Sequence, residues 1–173
     1  EQEQIVLAFV DFLMNSSEGH EAVAFKGGII ESGTGTAWDT LKAKYPLLAG
    51  DASSYTIKTG GSTSVDSTVK AALEAFQALT GVKFEMNQTG SGDGFNRTLG
   101  ADKYPDNGVD LGFASREFND TETVATGAVN GAYCFDAIVV VVNKTNTVLT
   151  DVTTQQLHDI YSGVVTKWED LAK

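Results

Sequence analysis

Between residues 55 and 79 the chain passes from a β-patterned run, through a turn of small residues, into a helix-patterned run. This order restricts the fold more than any other feature. Tyr55-Thr56-Ile57-Lys58 leads into Thr59-Gly60-Gly61-Ser62-Thr63-Ser64, and Val65, Val69, Leu73, Phe76 and Leu79 then recur at helical spacing. Strand, tight turn, helix is the repeating unit of an α/β sheet. It also builds an anion site. Glycine lets the backbone approach a ligand closely, and the first N–H groups of a helix lack intrahelical partners and sit at the positive end of its dipole. Ser62, Thr63 and Ser64 add hydroxyls beside them. A tetrahedral oxyanion fits such a place without Lys or Arg. The plainer alternative is that Ser62 or Ser64 only caps the helix.

The same order recurs downstream. Val82-Lys83-Phe84-Glu85-Met86 alternates as a half-buried strand does and runs into Thr89-Gly90-Ser91-Gly92-Asp93-Gly94. A helix of about two turns is expected around residues 96–100. Tyr104-Pro105-Asp106-Asn107-Gly108 reads as a turn, Val109–Phe113 as a third strand, and Ala114-Ser115-Arg116-Glu117 as a third loop. Ala137–Val142 is apolar throughout, the pattern of a strand covered on both faces. Ligands of open α/β sheets bind outside the carboxyl ends of the strands. The three loops therefore reach one cleft, and Ser62, Thr63, Ser64, Ser91 and Arg116 point at one small polar ligand. Arg116 reads either as a bidentate donor to an oxyanion or as a surface cation paired with Glu117 or Asp120. Asp93 is a possible acceptor for a protonated oxyanion, or an ordinary turn residue. Asp110 and Asp136 read as strand-end or hinge residues.

The flanks differ in style. Residues 4–25 read as an amphipathic helix, with Val6, Phe9, Val10 and Leu13 on one face, interrupted at Ser16–Gly19 and ended by Gly27-Gly28. Residues 31–54 start as a small-residue linker, Glu31–Thr36, followed by a short helix carrying Trp38, Leu41 and Tyr45 that ends before Pro46. In the tail, Thr153 with Gln156 and Thr166 with Glu169 fit capping boxes.

Several classes of function drop out. A net charge of −11 over 173 residues argues against nucleic acid and anionic membrane surfaces. It leaves room for a small anion, because a local site acts within a few ångströms and distant charges are screened. Cys134 is the only cysteine and reads as a core residue, so no disulfide or cysteine metal cluster is expected. His20 and His158 show no metal spacing, and no run has transmembrane length. Without a G-x-S-x-G elbow or a histidine in the loops, catalysis is not expected. Glu1 reads as a mature or trimmed start, and sequons stand at Asn15, Asn87, Asn96, Asn119 and Asn143.

Gly61-Ser62-Thr63-Ser64-Val65, Gly90-Ser91-Gly92-Asp93-Gly94 and Asp110–Glu117, followed by Asp136–Asn143, Leu149-Thr150, Ile160-Tyr161-Ser162-Gly163 and Trp168, resemble in this order the phosphate-binding proteins of ABC transporters. The resemblance covers about residues 55 to 173. It implies an α/β periplasmic-binding-protein-like lobe, three-layered, with a mixed sheet, helices on both faces and an incomplete second lobe. Carried over residue by residue, Ser62, Thr63, Ser64, Ser91, Gly92, Ser115 and Arg116 hold phosphate. Many relatives have Asp at the position of Arg116, others Arg, which leaves the protonation state of the ligand open. Residues 137–143 are the implied hinge strand.

The implied partners are inorganic phosphate and a membrane permease, outside the cell, at its surface or in the periplasm, in a secreted protein or lipoprotein. No cofactor, metal or catalytic residue is implied, and no membrane insertion. Phe9–Leu13, Ser17–His20 and Gly27–Ile29 resemble the family's C-terminal helix region, here placed first. The expected division is therefore 1–32 as the end of a preceding or permuted binding domain, 33–54 as linker, 55–145 as the first lobe and 146–173 as the start of the second. Helix 5–25 would dock on the first lobe, within the chain or swapped between two chains. The alternatives kept beside phosphate uptake are a surface sensor or interaction module of the same fold, and another oxyanion such as sulfate or molybdate.

Overall fold

The computed structural model describes residues 1–30, 33–103 and 106–171. The expected linker start at Glu31-Ser32, Tyr104-Pro105 of the expected turn, and Ala172-Lys173 lie outside the described residues. The chain divides into two compact units, Glu1–Ala137 and Ile138–Lys173.

The first unit is built on three parallel strands, β1 (Thr56–Gly61), β2 (Lys83–Asn87) and β3 (Leu111–Phe113), in the order β2-β1-β3. The sole antiparallel pairing among the described residues is a bridge between Ile29 and Phe135. Helix α4 (Asp66–Thr80) connects β1 to β2, and α5 (Ser91–Thr98) stands between β2 and β3. The strand order reverses direction after β2. With right-handed crossovers, α4 and α5 must fall on opposite faces of the sheet. The reversal also makes a switch point between the carboxyl ends of β1 and β3, where such sheets open a crevice.

Among the described residues three α-helices precede the sheet, α1 (Gln2–Asn15), α2 (Ser17–Phe25) and α3 (Trp38–Lys42), followed by a 3-10 turn, Pro46–Ala49. The expected interruption at Ser16 is a true break. Ser16 is extended, its hydroxyl accepts from the Gly19 N–H at 2.8 Å, and it donates to the Phe12 carbonyl at 2.6 Å. One side chain thus ends α1 and caps α2.

Helix α1 buries Ile5, Ala8, Phe9, Phe12 and Leu13, while Val6 and Val10 of the expected face are only partly covered. Phe9, Phe12, Trp38 and Phe76 form one aromatic cluster, with the Phe12 ring edge-on to Trp38 at 5.3 Å and 5.4 Å from Phe76 of α4. Gln2 at the start of α1 donates to the Thr56 carbonyl at 2.8 Å and to Asp110 at 3.2 Å. The N-terminal helix therefore docks on the lobe within the same chain. Asp110 also accepts from the Lys58 N–H at 2.8 Å, which confirms it as a strand-end residue.

Two expectations are corrected. The second helix starts at Ser91, inside the loop, and ends at Thr98; it was expected around 96–100. Gly90, at φ +148°, turns the chain so that the helix starts after a three-residue link from β2, residues 88–90. The apolar run at 137–142 forms no strand, and Ile138 is fully exposed. Continuous apolar residues make a strand only when neighbours supply both the ladder and the cover, and the described residues supply neither.

In the second unit, α6 (Thr154–Tyr161) carries the expected capping box of Thr153 with Gln156. The second expected box, Thr166 with Glu169, precedes only a single 3-10 turn, Trp168–Leu171.

Candidate functional site

Glycines bring the three loops together. Gly61 ends β1 at φ +133°, beside the Phe113 backbone, and no Cβ fits between them. On α5, a Cβ at Gly94 would lie 2.8 Å from the Gly61 Cα and 2.9 Å from the Phe113 carbonyl oxygen. The helix therefore rests backbone to backbone on β1 and β3. The Gly90 N–H donates to the Gly61 carbonyl at 2.7 Å, and the Ser62 N–H to the Phe113 carbonyl at 2.9 Å. All three strand ends are pinned to one another.

On this frame the serines meet. Ser62, buried, donates through its hydroxyl to the Ser115 hydroxyl at 2.9 Å and accepts from the Ser64 N–H at 3.3 Å. The Ser115 N–H donates to the Ser91 hydroxyl at 3.2 Å. In this chain of bonds Ser91 and Ser115 act only as hydroxyl acceptors. Each retains its own O–H proton for an incoming oxygen. Ser91 and Gly92 are the first two residues of α5, whose leading N–H groups have no intrahelical acceptor. Thr63 and Ser64 lie exposed on the short 3-10 turn Thr63–Val65 that leads into α4. The capping alternative for Ser62 is therefore met as well: it caps that turn, and its hydroxyl also crosses to the third loop.

Arg116 follows directly. Its Nη1 and Nη2 each donate to Glu122 at 2.7 Å, and Nη1 also donates to the Glu117 carbonyl at 2.8 Å. The ion-pair partner is thus Glu122, in place of the Glu117 or Asp120 carboxylates expected from proximity in sequence. Glu122 further accepts from the Asn119 N–H at 3.0 Å. The hydrogen bonds from Arg116 and Asn119 hold its carboxyl down at about 2. Nη2 of Arg116 lies 3.9 Å from the point where a Cβ on Gly92 would stand, so the guanidinium flanks the start of α5.

Asp93 accepts from the Thr89 hydroxyl and from Arg97 at 3.4 Å, so it is engaged in holding its own loop. Arg97 escaped the sequence reading. It donates to the carbonyls of Asn107 at 2.7 Å and Asn87 at 3.3 Å, tying α5 to the end of β2 and to the turn before β3. Its i+4 spacing from Asp93 was the available signal. Among the described residues no cluster of His, Cys, Asp or Glu could hold a metal. No helix there is long and apolar enough to cross a membrane.

Residues 47–173 match the model of a family described as a PBP superfamily domain. The phosphate-binding protein PstS 2 of Streptococcus agalactiae is 32% identical over 166 residues, covering 95% of this chain and 50% of that protein. The phosphate-binding protein PstS of Staphylococcus aureus is 31% identical over 120 residues, covering 66% of this chain and 35% of that one. Among solved structures, the phosphate-binding protein of a phosphate ABC transporter from Streptococcus pneumoniae has a TM-score of 0.73 at 24% identity, over 95% of this chain and 57% of that chain. At that identity the likeness speaks for the fold. The chain spans half the length of the Streptococcus agalactiae relative, or less in the other case.

Proposed function

This chain belongs to the PBP superfamily, and on that premise we propose that it captures inorganic phosphate for uptake through an ABC transporter. The observation that carries the reading is the Ser62–Ser115–Ser91 hydrogen-bond chain at the carboxyl ends of three parallel strands. It gathers hydroxyls and two helix-entry turns around one point at the switch position of the sheet. The names of the relatives supply the ligand class: they are phosphate-binding proteins.

The role is binding, not catalysis. Ser62, Thr63, Ser64, Ser91, Gly92, Ser115 and Arg116 replace the water shell of the anion with fixed donors. A permease takes the anion over, and the setting is extracellular, cell-surface or periplasmic. Residues 1–32 are read as the helical end of a preceding or permuted binding domain, 33–54 as linker, 55–145 as the first lobe and 146–173 as the start of a second. The burial of Phe9 and Phe12 against Phe76 supports treating the N-terminal helices as completing this lobe.

The test is an amide NMR titration of the 173-residue chain with phosphate, after exhaustive removal of carried-over phosphate, and with sulfate as control. The expected result is shifts confined to residues 60–65, 90–94 and 114–117, with phosphate and not with sulfate. Equal shifts with both anions would leave a generic anion site. No shifts there at high phosphate would favour an interaction module of the same fold.

A further inference from the structure

A guanidinium carries five N–H donors in a fixed plane: two on each Nη and one on Nε. In Arg116, Glu122 takes one hydrogen from each Nη, at 2.7 Å both, and the Glu117 carbonyl takes the second hydrogen of Nη1. The remaining Nη2 hydrogen and the Nε hydrogen lie side by side on one edge, and no described residue takes either. This edge is a complete two-donor fork of the kind that binds oxyanions. Nη2, which belongs to it, is the nitrogen beside Gly92 at the start of α5.

Glu122 is itself fixed. Its side chain is 9% exposed against 39% for Arg116, and the Asn119 N–H holds one of its oxygens. The carboxylate that defines the direction of the fork is thus the more buried and better held of the two partners. The two-point contact of Glu122 with Nη1 and Nη2 fixes the plane of the guanidinium, so the pair orients the edge that remains.

We propose that Glu122 is the positioning residue for Arg116 in anion capture, occupying the Nη1–Nη2 edge so that the Nε–Nη2 edge faces the oxyanion. This rests on the phosphate reading above. An unheld Arg side chain must be ordered at the moment of binding, at a cost in affinity. Glu122 removes that cost in advance. It also balances the charge of Arg116, so that the loops grip the anion largely through neutral donors and one oriented fork.

The test is a double-mutant cycle on phosphate affinity with R116A, E122A and the double variant, with the unfolding midpoint of each measured so that affinity is compared only where the chain is fully folded. E122A is expected to weaken phosphate binding about tenfold, the scale of one charge-assisted hydrogen bond, in the Arg116 background and not at all in the R116A background. An equal loss in both backgrounds would give Glu122 a purely structural role and overturn the proposal. No loss in the Arg116 background would overturn it too. A reading that needs no variant is the side-chain 15N spectrum of Arg116. Separate Nη signals, from hindered rotation about Cζ, are expected without ligand, and a single averaged signal would overturn the proposal. If the wild-type chain shows hindered Nη signals and no phosphate response, the phosphate reading is what has failed, and the positioning role falls with it.

Discussion

Ser62 and Ser115 lie 53 positions apart in sequence, at the ends of β1 and β3, and their hydroxyls share a hydrogen bond of 2.9 Å. That bond crosses the point where the strand order reverses, so it marks the crevice from within. Ser62 donates and Ser115 accepts, and the Ser115 proton is left for a ligand oxygen. Ser115→Ala is therefore expected to weaken phosphate binding by about tenfold or more, the worth of a hydrogen bond to a charged group. Ser115 is exposed, but the variant also leaves the buried Ser62 hydroxyl without its acceptor, so a loss of stability of about 1 kcal/mol is expected beside the loss of binding. Titration calorimetry or NMR, beside a thermal melt, separates the two effects.

Gly94 makes the opposite kind of prediction. Alanine favours helix over glycine by about 1 kcal/mol. At Gly94 the new methyl would stand 2.8 Å from the Gly61 Cα and 2.9 Å from the Phe113 carbonyl oxygen, both backbone atoms that cannot swing aside. Overpacking of this kind costs about 1–3 kcal/mol, so the clash wins. Gly94→Ala is expected to lower the denaturant midpoint and also to weaken anion binding, because α5 must lift from β1. A stabilised variant would refute the backbone-to-backbone packing.

Phe12 tests whether the N-terminal helix is part of the lobe. It is fully buried among Phe9, Trp38 and Phe76. Phe12→Ala is expected to destabilise the whole first unit by about 3–5 kcal/mol, the range for a truncated core aromatic. The check is chemical denaturation followed at Trp38. A small loss, confined to helix signal with the Trp38 transition unmoved, would mean that α1 is an appendage.

The Glu122 carboxyl gives a pH prediction with a definite sign. Its folded-state value, about 2, lies below the ordinary carboxylate value because Arg116 and the Asn119 N–H stabilise the anion. A depressed carboxyl contributes stability that is fully present above the ordinary value and is lost as pH falls toward the folded one. The pair should thus stay intact at pH 5 and fail between about pH 4.5 and about pH 2. The side-chain carboxyl carbon of Glu122 should titrate with a midpoint near the lower figure. A midpoint in the ordinary glutamate range would mean that the pair is not formed in solution.

The local signals were legible because they are local. The Gly61–Ser64 turn, the helical face of Val69, Leu73 and Phe76, the Ser16 break and the Thr153–Gln156 box each depend on residues within a turn or two. The α/β winding and the meeting of the three loops also followed, since the alternation of strand and helix leaves few ways to wind. Less legible was the start of α5, because a run of glycine, serine and aspartate reads as loop until Gly90 adopts its left-handed φ of +148°. The partner of Arg116 was missed for a similar reason. Proximity in sequence favoured Glu117 and Asp120, while the path of the chain brought Glu122 under the guanidinium.

The sequence by itself determined where β1, β2, β3, α4 and the N-terminal helices form, and which strand ends carry hydroxyls. These properties follow from short-range sterics and from apolar periodicity. Tertiary structure alone decided which glycines serve contact and which serve turns, that Asp93 is occupied by Thr89 and Arg97, and that Ile138–Val142 stands outside any ladder. Each of those outcomes depends on which backbone or side chain arrives from a distant part of the chain, and periodicity within a segment carries no record of that arrival.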